Sequence, residues 1–179
     1  MLKITIPAME AWDPVKEEFV QTEETKLVLE HSLLSVSKWE STWKIPFAGG
    51  NELTAEQSID YVKCMCINPV KDDSVFYTIP RSILMEIKKY IDDPMSASKF
   101  DDKKKPRGKA VYPSEQIYCF MTMYGIPFET EKWHLNRLLA LIRWCGIENA
   151  PKEKMSETEI LMRNAKLNAE RKARLHTRG

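Results

Sequence analysis

Four cysteines and three histidines are the residues best able to ligate a metal or attack a substrate, so their spacing is the first test. Cys64 and Cys66 have one residue between them, while Cys119 and Cys145 stand alone. Zinc sites pair their thiolates as C-x₂₋₄-C with partners in kind, and this spacing does not point to one. His31, His134 and His176 form no H-E-x-x-H or comparable pair. Neither a metal nor a cofactor is expected. The chain also lacks the G-x-S-x-G elbow, and Cys145 lies one helical turn from Leu141 and Ile142, a setting for an inert thiol. All four cysteines read as small buried apolar residues in a reducing compartment. His134, beside Trp133, reads as a hydrogen-bonded structural residue, with a general base as the alternative. The six glycines form neither G-x-G-x-x-G nor a P-loop, so no phosphate cradle is expected. The spacing argues for a protein that is not an enzyme.

Binding chemistry is better represented. Trp39 and Trp43 lie four apart, on one helical face, within the polar run Ser37-Lys38-Trp39-Glu40-Ser41-Thr42-Trp43-Lys44. Tryptophans in such a context fit an interface, whereas Trp133, on a strongly apolar segment, fits the core. Two stretches are basic: Lys103 to Lys109, and Arg163 to Arg178, which follows Ile160 with six Lys or Arg and the single acid Glu170 before the end. Neither is interleaved with aromatic residues, and the net charge is only +1. A nucleic-acid function is therefore the weaker reading, and docking onto acidic proteins the stronger.

Elements that would position these residues follow from periodicity. Leu2-Lys3-Ile4-Thr5-Ile6 alternates with period two and Pro7 closes it, and Lys26 to Leu29 is a second extended stretch. The acidic segment between them, with Trp12, Phe19 and Val20, fits a turn of helix. From Leu33 the period becomes helical, with Ser32 as cap and Leu33, Val36, Trp39 or Glu40, and Trp43 on one side. Thr54-Ala55-Glu56-Gln57 is a capping box opening a helix with Ile59, Val62 and Cys66 on one face. Another helix begins near Thr78 with Pro80 in its first turn, turns Ile83, Ile87, Tyr90 and Ile91 inward, and stops at Asp93-Pro94. Ile117, Phe120, Met121 and Tyr124 form the stripe of the next, which Gly125 ends. A helix from about Thr130 to Gly146 carries Leu135, Leu138, Leu139, Ile142 and Cys145, with Trp133, Leu141 and Trp144 opposite, so it is expected at the centre of the core. In the tail, Ser156-Glu157-Thr158-Glu159 is a second capping box, and Leu161, Ala165, Ala169 and Ala173 recur every four residues.

The expected fold is mainly α, about six helices with a small N-terminal β element. Residues 1–150 form the globular domain and 151–179 a basic C-terminal helix or tail. No apolar run approaches the ~20 residues of a membrane span, and the N-terminus turns acidic within a few residues, unlike a signal peptide. A cytoplasmic, non-membrane location is expected.

Several stretches together are familiar. Leu29-Glu30-His31-Ser32 leading into Ser37-Lys38-Trp39-Glu40-Ser41 and Trp43, Tyr61-Val62-Lys63-Cys64-Met65, Tyr90-Ile91-Asp92-Asp93-Pro94, Lys132-Trp133-His134-Leu135-Asn136-Arg137 and Arg163-Asn164-Ala165-Lys166-Leu167-Asn168-Ala169 run from about residue 25 to the end. In these the chain resembles the tail assembly chaperones of siphophages, the family encoded beside the tape measure protein. It departs from that pattern at Met95-Ser96-Ala97-Ser98, where threonines are usual, and in its lysine-rich loop. The resemblance implies a helper absent from the virion, active in the host cell cytoplasm. It would coat the helical tape measure protein and recruit tail tube subunits, with a longer frameshifted form. No catalytic residue is carried over. The surfaces expected to meet partners, or another copy of the chain, are Trp39, Trp43, Leu161, Ala165, Ala169, Arg171 and Lys172. The competing readings are a virion structural protein of the neck or tail completion type, and a phage nucleic-acid-binding protein.

Overall fold

The computed structural model describes residues 1–13, 17–47, 53–100, 111–150 and 157–175. Two compact units divide the chain, Met1–Gly146 and Ile147–Gly179. The protein is mainly helical with a small N-terminal β element, as the periodicity predicts.

Strand β1 (Leu2–Ile6) pairs antiparallel with β4 (Thr25–Leu29), with Leu2 opposite Leu29, Ile4 opposite Leu27 and Ile6 opposite Thr25. Alternation sends Ile4, Ile6, Leu27 and Leu29 into the core and leaves Lys3, Thr5 and Lys26 exposed. The intervening chain forms a second hairpin, β2 (Met9–Asp13) with β3 (Glu18–Thr22), in place of the expected turn of helix. The reason is topological: β1 and β4 run antiparallel, so the chain between them must reverse, and a hairpin reverses it with its backbone groups paired.

The other edge of β4 is closed by chain that follows the second helix. Ile67 N–H donates to Val28 O at 3.0 Å and Glu30 N–H to Met65 O at 2.9 Å. The Asn68 side chain then stands in for a strand, its Oδ1 accepting from Val28 N at 2.7 Å and its Nδ2 donating to Lys26 O at 3.0 Å.

Helix α1 (Leu33–Trp43) is capped by Ser32, whose Oγ accepts from Ser35 N at 3.2 Å. Its inner face is Leu33, Ser35, Val36, Trp39 and Glu40, and Lys44 ends it in the left-handed conformation at φ 58°. Helix α2 (Ala55–Met65) opens with the complete Thr54/Gln57 capping box. Its buried face is Tyr61, Val62 and Met65; the expected Ile59 is half-buried and Cys66 is the C-cap, so the stripe is turned by one residue. A 3₁₀ helix (Asp73–Thr78) follows, and α3 (Arg81–Asp92) begins only after Pro80, which is its N-cap, not part of its first turn. Ile87 and Tyr90 are buried on α3, with Ile83 and Ile91 half-buried.

Helix α4 (Ser114–Met123) buries Ile117 and Met121, and Gly125 supplies the φ of +64° that reverses the chain beyond it. The stretch Phe128–Lys132 is a separate 3₁₀ helix, and α5 (Leu135–Asn149) starts five residues later than the expected Thr130. Only Leu135 and Leu138 are fully buried on α5, so it borders the core and does not run through it. In the second unit, α6 spans Glu157–Leu175. The lysine-rich loop 103–109, the linker 151–155, the cap residue Ser156, and His176 and Arg178 lie outside the described residues.

Glu40 ties distant chain to α1. It is buried, its Oε1 accepting from Phe47 N and its Oε2 from Ser114 N, both at 2.8 Å. Ser114 is the first residue of α4, so the carboxylate also sits at the positive end of that helix dipole. Glu40→Ala strands both amides, and a loss of about 3 kcal/mol of unfolding free energy is expected in urea titrations, with Glu40→Gln intermediate. A Glu40→Ala loss below about 0.5 kcal/mol, the size of an ordinary surface change, would contradict this role.

Candidate functional site

Two kinds of place in the molecule gather chemistry-bearing side chains: a buried polar cluster, and exposed aromatic and basic faces.

The cluster centres on Glu30-His31-Ser32, between β4 and α1. His31 is buried and shares a hydrogen bond with Tyr61, its Nδ1 2.5 Å from the phenol oxygen. Its ring centre is 5.0 Å from that of His134, edge to face. His134 donates from Nε2 to Tyr90 O at 3.0 Å, while its Nδ1 accepts from Asn136 N at 3.3 Å, so the backbone engages both ring nitrogens. The Tyr90 hydroxyl donates to Glu30 Oε1 at 2.5 Å, and the Met1 ammonium lies 2.9 Å from Glu30 Oε2.

Every resolved shift in this cluster favours a neutral group. Burial, reinforced by the nearby His134, lowers the His31 pKa to about 3. Burial raises that of Tyr61, with smaller contributions from Cys64, Glu40 and Tyr90. Burial, then the hydrogen bond to Glu30, raises that of Tyr90. These shifts hold His31, Tyr61 and Tyr90 in their neutral forms near neutral pH. His134 is buried and hydrogen-bonded at both ring nitrogens, the hydrogen-bonded setting that the sequence predicts. The thiols are similar: burial, then Asp60, raises Cys64 to about 11, and burial raises Cys66. The expectation of four buried cysteines fails: Cys64, Cys66 and Cys145 are half-buried, and Cys119 is exposed because α4 presents only Ile117, Met121 and their neighbours to the core. Among the described residues no three of His, Cys, Asp or Glu are placed to hold a metal ion, and no helix is long and apolar enough to cross a membrane.

The tryptophans fall out differently from the sequence expectation. Trp39 is fully buried, donating its indole N–H to Gln57 O at 2.9 Å and meeting Phe47 and Tyr61 edge-on. It is a core residue with no surface to offer a partner. Trp43 is half-buried and donates to Asp60 Oδ2 at 2.9 Å. It walls a surface cleft of about 340 Å³ with Ile59, Lys63 and Tyr77, the Lys63 ammonium standing 4.9 Å from the Tyr77 ring centre. Conversely Trp133, expected in the core, is 38% exposed, with the Arg137 guanidinium over its ring. Trp144 is 42% exposed. The Trp–Arg spacing of four, at Trp133 and Arg137, is the local signal that marks Trp133.

In the second unit, Leu161, Ala165, Ala169, Arg171 and Lys172 all lie on α6 and are all exposed, Leu161 at 67%. The tail residues thus share one helix, whereas Trp39 and Trp43 share α1 with only one of them reaching the surface. The chain matches no protein-family model, no curated protein and no solved structure.

The His31 environment sets a pH dependence. Above the ordinary value of 6.5 the ring is neutral in both folded and unfolded chains. Below it the unfolded chain takes up a proton that the folded chain refuses until about pH 3. Stability is therefore lost as pH falls through that window, by about 1.4 kcal/mol per pH unit from this group. Urea midpoints should drop between pH 7 and pH 5, where most carboxylates stay ionised. His31→Gln should lower stability at pH 7 and flatten the decline; an equally steep decline in His31→Gln would assign it to other groups.

Proposed function

We propose that the protein is a non-catalytic tail assembly chaperone of a tailed phage, which binds the tape measure protein and helps recruit tail tube subunits. The observation that carries this is α6. Every side chain described on it is exposed, from Leu161 through the small residues Ala165, Ala169 and Ala173 to the basic Arg171, Lys172 and Arg174. In proteins most helical stability comes from covering an apolar face. An uncovered stripe of Leu and Ala bordered by cations suits another helix with carboxylates along its edges, the surface that a long helical client presents. The likeness in Leu29-Glu30-His31-Ser32 and the later stretches supports the same reading.

The test keeps the full chain. Leu161→Asp with Ala165→Asp puts charge into the stripe without touching the first unit. Co-purification with a co-expressed tape measure protein should fall by roughly tenfold or more, a loss typical of an interface anchor, while thermal unfolding of the globular unit stays as it was. Unchanged co-purification would overturn the role of α6. Detection of the protein as a stoichiometric component of purified virions would favour a structural subunit instead.

A further inference from the structure

The two edges of the β1–β4 ribbon differ in what meets them. On β4 the backbone of Val28 and Lys26 turns away from β1, to Ile67 and the Asn68 amide. Direction alternates along an antiparallel ladder, so Leu27 and Leu29 bond to β1. Lys3 and Thr5, opposite Val28 and Lys26, therefore turn their N–H and C=O groups outward. Both residues are exposed, and among the described residues no backbone hydrogen bond reaches those groups. Helix α3 lies against β1 and leaves Leu84 41% exposed, on one helical line with half-buried Ile91 seven residues on.

We propose that β1 pairs with β1 of a second copy, antiparallel about a two-fold axis that passes beside Ile4 and stands perpendicular to the sheet. Lys3 of each copy then lies opposite Thr5 of the other, and each such pair exchanges both of its N–H···O=C bonds. The register is set by two residues. Slid one way, the strands put Lys3 opposite Lys3, like charges directly across the ladder. Slid the other way, they put Lys3 opposite Pro7, which has no N–H to meet the Lys3 carbonyl. An edge lysine guards against indiscriminate pairing, and here it leaves this one register open.

Any extended strand offers backbone groups to this edge. A second copy offers more, because the perpendicular axis keeps both core faces on the same side. Buried Ile4 then adjoins Ile4, so the alternation of inward isoleucines with outward Lys3 and Thr5 continues across the joint. The helix that lies against each β1 is carried with it, so α3 meets α3 above the joint and the open side of Leu84 gains apolar cover. The surface belongs to the first unit, and the pairing stands whether or not the role given to α6 does.

The test is sedimentation equilibrium of the full-length chain from about 1 to about 500 micromolar, the span in which a short, transient contact shows itself. A monomer–dimer equilibrium is expected. Thr5→Pro removes an outward N–H and leaves the bonds to β4 in place, so it should weaken the dimer roughly tenfold. Leu84→Asp should weaken it by a similar factor. Thr5→Glu, on the exposed face, puts a carboxylate opposite Lys3 of the other copy and should tighten the dimer roughly threefold, a gain that high salt removes. It leaves the backbone unchanged, so it reads the pairing independently of the proline variant. With Thr5 opposite Thr5 the same change would loosen the dimer instead. The Leu161→Asp, Ala165→Asp chain should dimerise as the parent does. The proposal is overturned if the chain is monomeric throughout, which leaves the edge to another strand, or if the α6 variant alone is monomeric. It is also overturned if Thr5→Pro or Leu84→Asp dimerises as the parent does, or if Thr5→Glu fails to tighten the dimer.

Discussion

The three residues Glu30-His31-Ser32 have to bury polar atoms where β4 hands over to α1, and the packing of the first unit follows from how those atoms are satisfied. The His31 carbonyl accepts from Leu135 N at 2.7 Å, and Ser32 bridges His134, which joins the start of α5 to the start of α1. The His31 ring engages Tyr61 of α2, and the Glu30 carboxylate engages Tyr90 of α3. The Ser35 hydroxyl donates back to Glu30 O at 2.8 Å. One short connection therefore sets the positions of four helices. A buried polar group left unpaired costs about 1–3 kcal/mol, so each partner is under strong constraint to stay. Among the described residues, no buried side-chain nitrogen or oxygen lacks a hydrogen-bond partner.

That satisfaction bears on the choice between chemistry and packing. An imidazole beside a phenol is a pairing that enzymes use for proton transfer, but transfer needs a group that changes charge near working pH. Here desolvation outweighs every other influence on His31, Tyr61 and Tyr90, and it drives the imidazole down and the phenols up. The cluster behaves as a rigid joint. Solvent meets apolar and cationic groups elsewhere: half-open Trp133 just before α5, half-open Trp144 on it, and a basic helix in the second unit. Those are the materials of recognition.

Local signals were legible where the physics is local. Ser32, the Thr54/Gln57 box and Asp93-Pro94 mark helix ends because capping and proline sterics act within a few residues. Burial of individual tryptophans was not legible. Trp39 sits in a polar run, yet its neighbour Glu40 is polar only in type; it is buried to hold the amides of Phe47 and Ser114, which lie far apart in the chain. Trp133 sits in an apolar run, but the 3₁₀ helix before it and the extended Trp133 break the helical phase. Extrapolating the α5 stripe back through that break turns the ring the wrong way. The second hairpin was hidden for a related reason, since strand pairing depends on a partner that one segment cannot display.

Asn68 leaves the β1–β4 sheet with a single growing side. Its amide, with the backbone of Met65 and Ile67, occupies the outer edge of β4 as a strand would, so among the described residues the row of backbone groups left to another chain is that of β1. A ribbon with one such edge can join a second copy through a two-fold axis, and the joined pair then has none left in that sheet. Strand addition there terminates at a dimer, because the Asn68 amide and the backbone of Met65 and Ile67 already occupy the other edge.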